Sequence, residues 1–189
     1  MELFGRLRLR AGKALMAGKL SKVKRKPYYN DFDSIKSIGI VWDASRPEEF
    51  TVLTKFSQKM SALKIDTEIL GYFPDKKLPD QYTAVRFFTC LKRQDLDFFY
   101  KPVSTEAGRY ISKRFDVLID LNFRRVFPLE YIASLSNAKF KVGIPGAEPE
   151  NSPYDLMISH KNSLSIETYL EQVLFYLEMI KSNSEKKAV

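Results

Sequence analysis

The sequence predicts an α/β protein: an open, mostly parallel sheet with helices on both faces. Such a body is a Rossmann-like or flavodoxin-like three-layer sandwich, here preceded by an N-terminal basic amphipathic helix. Three observations carry this. Short apolar runs alternate with segments of helical periodicity along most of the 189 residues, as expected where crossover helices cover a parallel sheet. The clearest strand, FDVLIDLN over 115–122, is apolar between polar ends. The charge is segregated. Residues 1–26 hold nine Lys and Arg against the single acid Glu2, whereas the remainder carries 22 of each sign. The formal charge of +8 therefore belongs to an arm, and the body is neutral.

Residues 1–26 form the basic arm, 27–34 a polar and aromatic linker, 35–183 a single α/β domain and 184–189 a short tail. IKSIGIVW, 35–42, reads as a buried first strand. Ser45-Arg46-Pro47-Glu48 has the form of a capping box, with proline tolerated in the first turn. Phe50, Leu53, Phe56, Met60 and Leu63 then fall on one helical face, and the helix should end near Lys64. Strands follow at 66–73 and 82–89. Residues 95–100 add an extended piece before Pro102, and 104–114 a short helix. After the strand at 115–122 come a helix at 128–136 and strands at 138–144 and 154–159. A strongly apolar helix over 164–182 closes the chain. Its stripe of Ile166, Leu170, Val173, Leu177 and Ile180, widened by further apolar residues, is expected to pack across the sheet and against a neighbouring helix; the alternative is that one flank meets a partner chain.

On a helical projection of the arm, Leu3, Phe4, Leu7, Ala11, Ala14, Leu15 and Gly18 cluster on one side. Arg6, Arg10 and Lys13 flank that stripe on one edge, Arg8 and Lys19 on the other, while Leu9, Met16 and Leu20 interrupt the polar face. An apolar stripe rimmed by cations is the pattern of a helix lying in a membrane interface. Lys22, Lys24, Arg25 and Lys26 add a basic cluster that anionic lipid attracts, and Tyr28 and Tyr29 suit the headgroup level. The expected partner of residues 1–26 is thus an anionic membrane surface or a membrane-protein complex. The alternative is RNA or a ribosome, although phosphate neutralisation has no need of eight large apolar residues. A secretory signal is excluded because Arg6, Arg8, Arg10 and Lys13 break every apolar run. The expected setting is cytoplasmic, peripheral at the inner membrane. The single cysteine, Cys90, has no disulfide partner, which agrees with a reducing compartment.

In open α/β sheets ligands bind beyond the carboxyl ends of the strands. Those ends offer Asp43, Asp120, Asn122, Arg125 and His160 as a candidate pocket for an anionic ligand, with His160 as acid or base. Nothing further points to chemistry. Neither a G-x-G-x-x-G turn nor a G-x-x-x-x-G-K-[ST] loop occurs, so no nucleotide cofactor is expected. One histidine and one cysteine give no metal site, and no nucleophile elbow is present. An accessory or scaffold role is expected ahead of catalysis.

The stretch FDVLIDLNFRRVFPLEYIASLSNAKFKVGIPG, 115–146, resembles the first domain of heptosyltransferase-type bacterial glycosyltransferases. In those enzymes an FDLVIDL-like strand leads through a helix to GAKRRIGF-like residues. Phe115-Asp116, Ile119-Asp120-Leu121, Ala138-Lys139 and Val142-Gly143 stand in the matching places. The chain also resembles a family of short uncharacterised bacterial proteins, which implies the fold and no activity. Where the glycosyltransferases place a Gly-Asp pair after the first strand, this chain has Asp43-Ala44-Ser45-Arg46-Pro47. It is also expected to lack their nucleotide-sugar domain. The resemblance thus implies a small glycosyltransferase-like body that has lost glycosyl transfer.

Overall fold

The computed structural model describes residues 2–75, 77–83, 85–146, 152–159 and 165–180. In chain order the elements are α1 (Glu2–Leu20), β1 (Ser37–Asp43), α2 (Phe50–Ala62), β2 (Asp66–Tyr72), β3 (Phe88–Leu91), α3 (Thr105–Ser112), β4 (Val117–Leu121), α4 (Phe127–Leu135), β5 (Phe140–Gly143), β6 (Leu156–Met157) and α5 (Ile166–Met179). The six strands form one sheet in the order β3-β2-β1-β4-β5-β6, and every pairing is parallel. This is the strand order of the doubly wound Rossmann-type sheet, whose direction of winding reverses between β1 and β4.

Strands buried on both faces need apolar side chains on both, and the two cores divide them by alternation. Ile38, Ile40 and Trp42 of β1, with Val117, Ile119 and Leu121 of β4, face α2 and α5. Val41 and Leu118 face α3 and α4, where Tyr110, Leu129, Ile132 and Ala133 cover them. A third cluster extends outward from α4. Phe127, Tyr131 and Leu135 on its far side receive Met16 of α1, with Leu9, Leu20 and Val23 packed around them. Helix α4 is therefore apolar on two sides because it lies between the sheet and α1. The N-terminal helix makes a fourth layer.

Several local expectations are corrected. The third strand starts later than the expected 82–89: residues Asp80–Tyr82 form a 3-10 turn, and β3 begins only at Phe88. The cause is Tyr82. Its ring packs 4.9 Å from Phe50 and 5.1 Å from Phe88, and its hydroxyl donates to the Ala44 carbonyl at 2.8 Å. Ser45 does not cap a helix. Its hydroxyl and backbone N–H both donate to Asp43, and Arg46 precedes a 3-10 turn over Pro47–Glu49 that leads into α2. Leu63 lies beyond the end of α2 and is exposed. Residues 93–103 form a 3-10 turn and a tight loop bridged between Leu96 and Pro102, in place of an extended piece. The expected closing helix over 164–182 is observed as α5; residue 164 and residues 181–182 lie outside the described residues.

Candidate functional site

Helix α1 has two apolar faces. One is docked. At Gly12 a Cβ would stand 2.3 Å from the Phe99 carbonyl oxygen and 3.0 Å from the Phe127 ring, so only glycine permits so close an approach. Met16 is buried one turn further on. Leu9, Met16 and Leu20, which on a helical projection interrupt the polar face, are thus the seam against the body. About 150° away around the helix, Leu3, Phe4, Leu7 and Leu15 point outward and are 75%, 61%, 53% and 45% exposed.

The arm's cations divide in the same way. Arg8 is half-buried: its Nε donates to the Phe98 carbonyl at 2.6 Å, and its guanidinium lies 4.2 Å from the Phe98 ring centre and 4.5 Å from that of Tyr100. Lys13 pairs with Glu130 at 3.6 Å, and Lys19 stands 5.6 Å from the Tyr131 ring centre. Arg25 turns towards the body. It makes a bidentate pair with Asp155, both contacts at 2.7 Å, and a further bond to the Lys139 carbonyl at 3.1 Å. That geometry fixes the chain beyond α1 to the β5–β6 edge, helped by Tyr28 N–H bonding to the Lys139 carbonyl. Arg6, Arg10, Lys22, Lys24 and Lys26 are exposed. Tyr28 is exposed too, whereas Tyr29 turns inward, 4.9 Å from the Phe140 ring, and donates to the Leu177 carbonyl.

At the carboxyl ends of β4 and β5 lies a cavity of about 260 Å³ whose lining includes Asp120, Asn122, Arg125, Glu130, Ser134 and Tyr154. Three of the five sequence-predicted pocket residues therefore come together. Asp43 is not part of this lining; it is buried at the end of β1 with Oδ1 bound to Ser45 and Oδ2 without a hydrogen bond. His160 lies outside the described residues.

The pocket's polar groups are largely committed to its own walls. Asp120 accepts from Asn122 N–H at 2.7 Å and from the Tyr154 hydroxyl. Burial raises its carboxyl to about 6, against the lowering effect of the Tyr154 bond. Tyr154 reaches Asp120 because Gly143 leaves room for its ring, which a Cβ would meet at 2.6 Å. Asn122 both donates to and accepts from the backbone of Val126, fixing the start of α4. Arg125, held at a left-handed φ of 55°, donates to the Pro145 carbonyl. Glu130 Oε2 is buried without a hydrogen bond, beyond its long ionic contact with Lys13.

The lining thus presents two carboxyl groups, Asp120 and Glu130, and one guanidinium, Arg125. Beside the pocket wall, Lys141 is buried and donates to the Ser134 carbonyl at 2.8 Å; burial, then the nearby Arg25 charge, lowers its ammonium to about 7. Sequence reasoning passed over Glu130, Tyr154 and Lys141. Only Lys141 left a signal, since a lysine inside a strand buried on both faces has no route to water. Among the described residues no cluster of His, Cys, Asp and Glu is placed to hold a metal ion, and no helix is long and apolar enough to cross a membrane.

No curated protein matches the chain significantly, and nothing supports the local likeness to heptosyltransferases. A family model does match. It spans residues 8–180, from within α1 to just beyond α5, and places the chain in DUF6913, a family of unknown function.

Proposed function

We propose that the protein is a non-catalytic accessory protein that attaches to an anionic membrane surface through the outer face of α1. The observation behind this is the two-sided helix. Its inner face is already satisfied by α4 and the 98–100 loop, yet Leu3, Phe4, Leu7 and Leu15 remain exposed in a row. Packing among the described residues leaves all four exposed, Phe4 even with its edge-on contact to the Phe98 ring. Each is worth up to about 1.5–3 kcal/mol on full transfer from water, and neighbouring lysines and arginines add about 1 kcal/mol each near an anionic leaflet. The exposed Arg6, Arg10, Lys22, Lys24 and Lys26 supply that charge. The pocket supports a catalytic reading less well, because Asp120, Asn122 and Arg125 are engaged in holding their own loops.

The test is co-sedimentation of the full chain with vesicles of phosphatidylglycerol and phosphatidylcholine, and with phosphatidylcholine alone. The double substitution Phe4→Glu/Leu7→Glu touches exposed positions only and should leave the fold intact. Binding to the anionic vesicles is expected, with a loss of about 100-fold or more in the double variant. Equal recovery of wild type and variant with the lipid would refute the proposal. So would salt-sensitive RNA binding without lipid binding, which would assign the arm to nucleic acid. Deleting residues 1–26 is a poorer test, because it uncovers Phe127, Tyr131 and Leu135 and removes the Arg25–Asp155 clamp.

A further inference from the structure

The membrane-facing surface of α1 does not end with the helix. Beside its N-terminal turns the loop between β3 and α3 carries Phe98, 54% exposed, whose ring meets the Phe4 ring edge-on at 6.1 Å. This is a fixed ring and not a loose one. Asp97 Oδ1 accepts from Phe99 N–H at 2.8 Å and Lys101 N–H at 3.0 Å, and Lys101 Nζ closes back on Asp97 at 3.1 Å. The Leu96–Pro102 bridge shuts the loop at its base. From the α1 side, Arg8 grips the Phe98 carbonyl and stacks its guanidinium on the same ring. A large apolar ring held in water by this many constraints loses little conformational freedom on burial elsewhere.

Resting on the reading of α1 as a membrane-binding helix, we infer that Phe98 is a second insertion point, entering the lipid interface beside Phe4 and Leu7. The lipid-binding surface is then composite. A helix alone can roll about its axis; a helix with a fixed ring 90 residues away in sequence cannot. The occupant is the same anionic interface, since α1 carries the cations that such a lipid surface attracts.

Phe98→Trp in the full chain reports the depth of this ring. The single native tryptophan, Trp42, is buried and bonded to Glu49, so the difference spectrum isolates the new indole. With vesicles of phosphatidylglycerol and brominated phosphatidylcholine, the F98W emission should shift to the blue and be quenched. Phe98→Ser should weaken vesicle binding roughly tenfold while lowering the melting temperature by no more than a few degrees, since the backbone carbonyl that Arg8 holds is kept; Leu63→Ser, an exposed position just past α2, should leave binding as it was. Wild-type vesicle binding combined with a solvent-exposed F98W emission, or with full binding by F98S, would overturn the second insertion point and leave the α1 reading standing. Absence of wild-type binding would overturn both.

Discussion

Replacing Lys141 with methionine removes a cation from the interior and should change how stability depends on pH. The lysine is almost wholly buried on β5, and the described geometry gives its Nζ one acceptor, the Ser134 carbonyl at the end of α4. Its ammonium is lowered from 10.5 to about 7. Between those values the unfolded chain holds a proton that the folded chain has shed. Stability therefore rises with pH through this window and is lost as pH falls towards 7. At 1.36 kcal/mol per unit, linkage predicts a gain of about 2–3 kcal/mol between about pH 6 and pH 9. Methionine cannot titrate, and it leaves the Ser134 carbonyl unpaired at a pH-independent cost of about 1–3 kcal/mol. Urea unfolding of wild type and K141M across that range reads the lysine, because titrations not coupled to it cancel in the difference; Asp120, at about 6, touches only the lower edge of the window. The gap between the midpoints should open by about 1–2 M from pH 6 to pH 9 in favour of wild type. Parallel pH profiles would refute the assignment of a proton loss to Lys141 on folding.

Two further substitutions probe the attachment of the arm. Gly12→Leu places its Cβ against the Phe99 carbonyl and should lift α1 from α4 at a cost of about 1–3 kcal/mol; brief trypsin digestion would then cleave within the arm well before the body. Arg25→Met leaves Asp155, also bonded to Lys141 N–H, without its bidentate partner. A loss near 3 kcal/mol in urea unfolding is expected, and a loss below about 0.5 kcal/mol would show the pair to be a solvated surface contact.

The strand runs in β1, β2 and β4 were legible because a parallel sheet covered on both faces demands near-continuous apolar sequence, which 38–42 and, with the one exception of Asp120, 117–121 supply. Helix α2 was legible from the spacing of Phe50, Leu53, Phe56 and Met60. The start of β3 was not, because the apolar and aromatic residues of 82–89 suit a strand equally well whether Tyr82 belongs to it or turns inward to bond Ala44. The arm shows a different difficulty. A helical projection ranks faces by composition, and the outward stripe of α1 is the more apolar one. Its inner seam is built on Gly12, Leu9 and Met16, where closeness of approach counts more than side-chain size. Likewise Arg25 stands in a run of cations, and only the fold brings Asp155 to it across 130 residues. Asp120, Asn122 and Arg125 follow from the rule for strand ends; Glu130 and Tyr154 reach the same cavity from α4 and from the chain before β6, which local pattern does not connect.

The docking of α1 also has a consequence in time. The arm is synthesised before the body, and its anchors come late: the Phe98 carbonyl lies 90 residues beyond Arg8, and Asp155 lies 130 beyond Arg25. At a translation rate of about 5–20 residues per second, the nascent helix waits some 5–25 s before its inner face has anything to pack against. Through that interval both of its apolar faces are open. The fourth layer is therefore the last to close, and the body completes it onto a helix made long before α4 and the 98–100 loop.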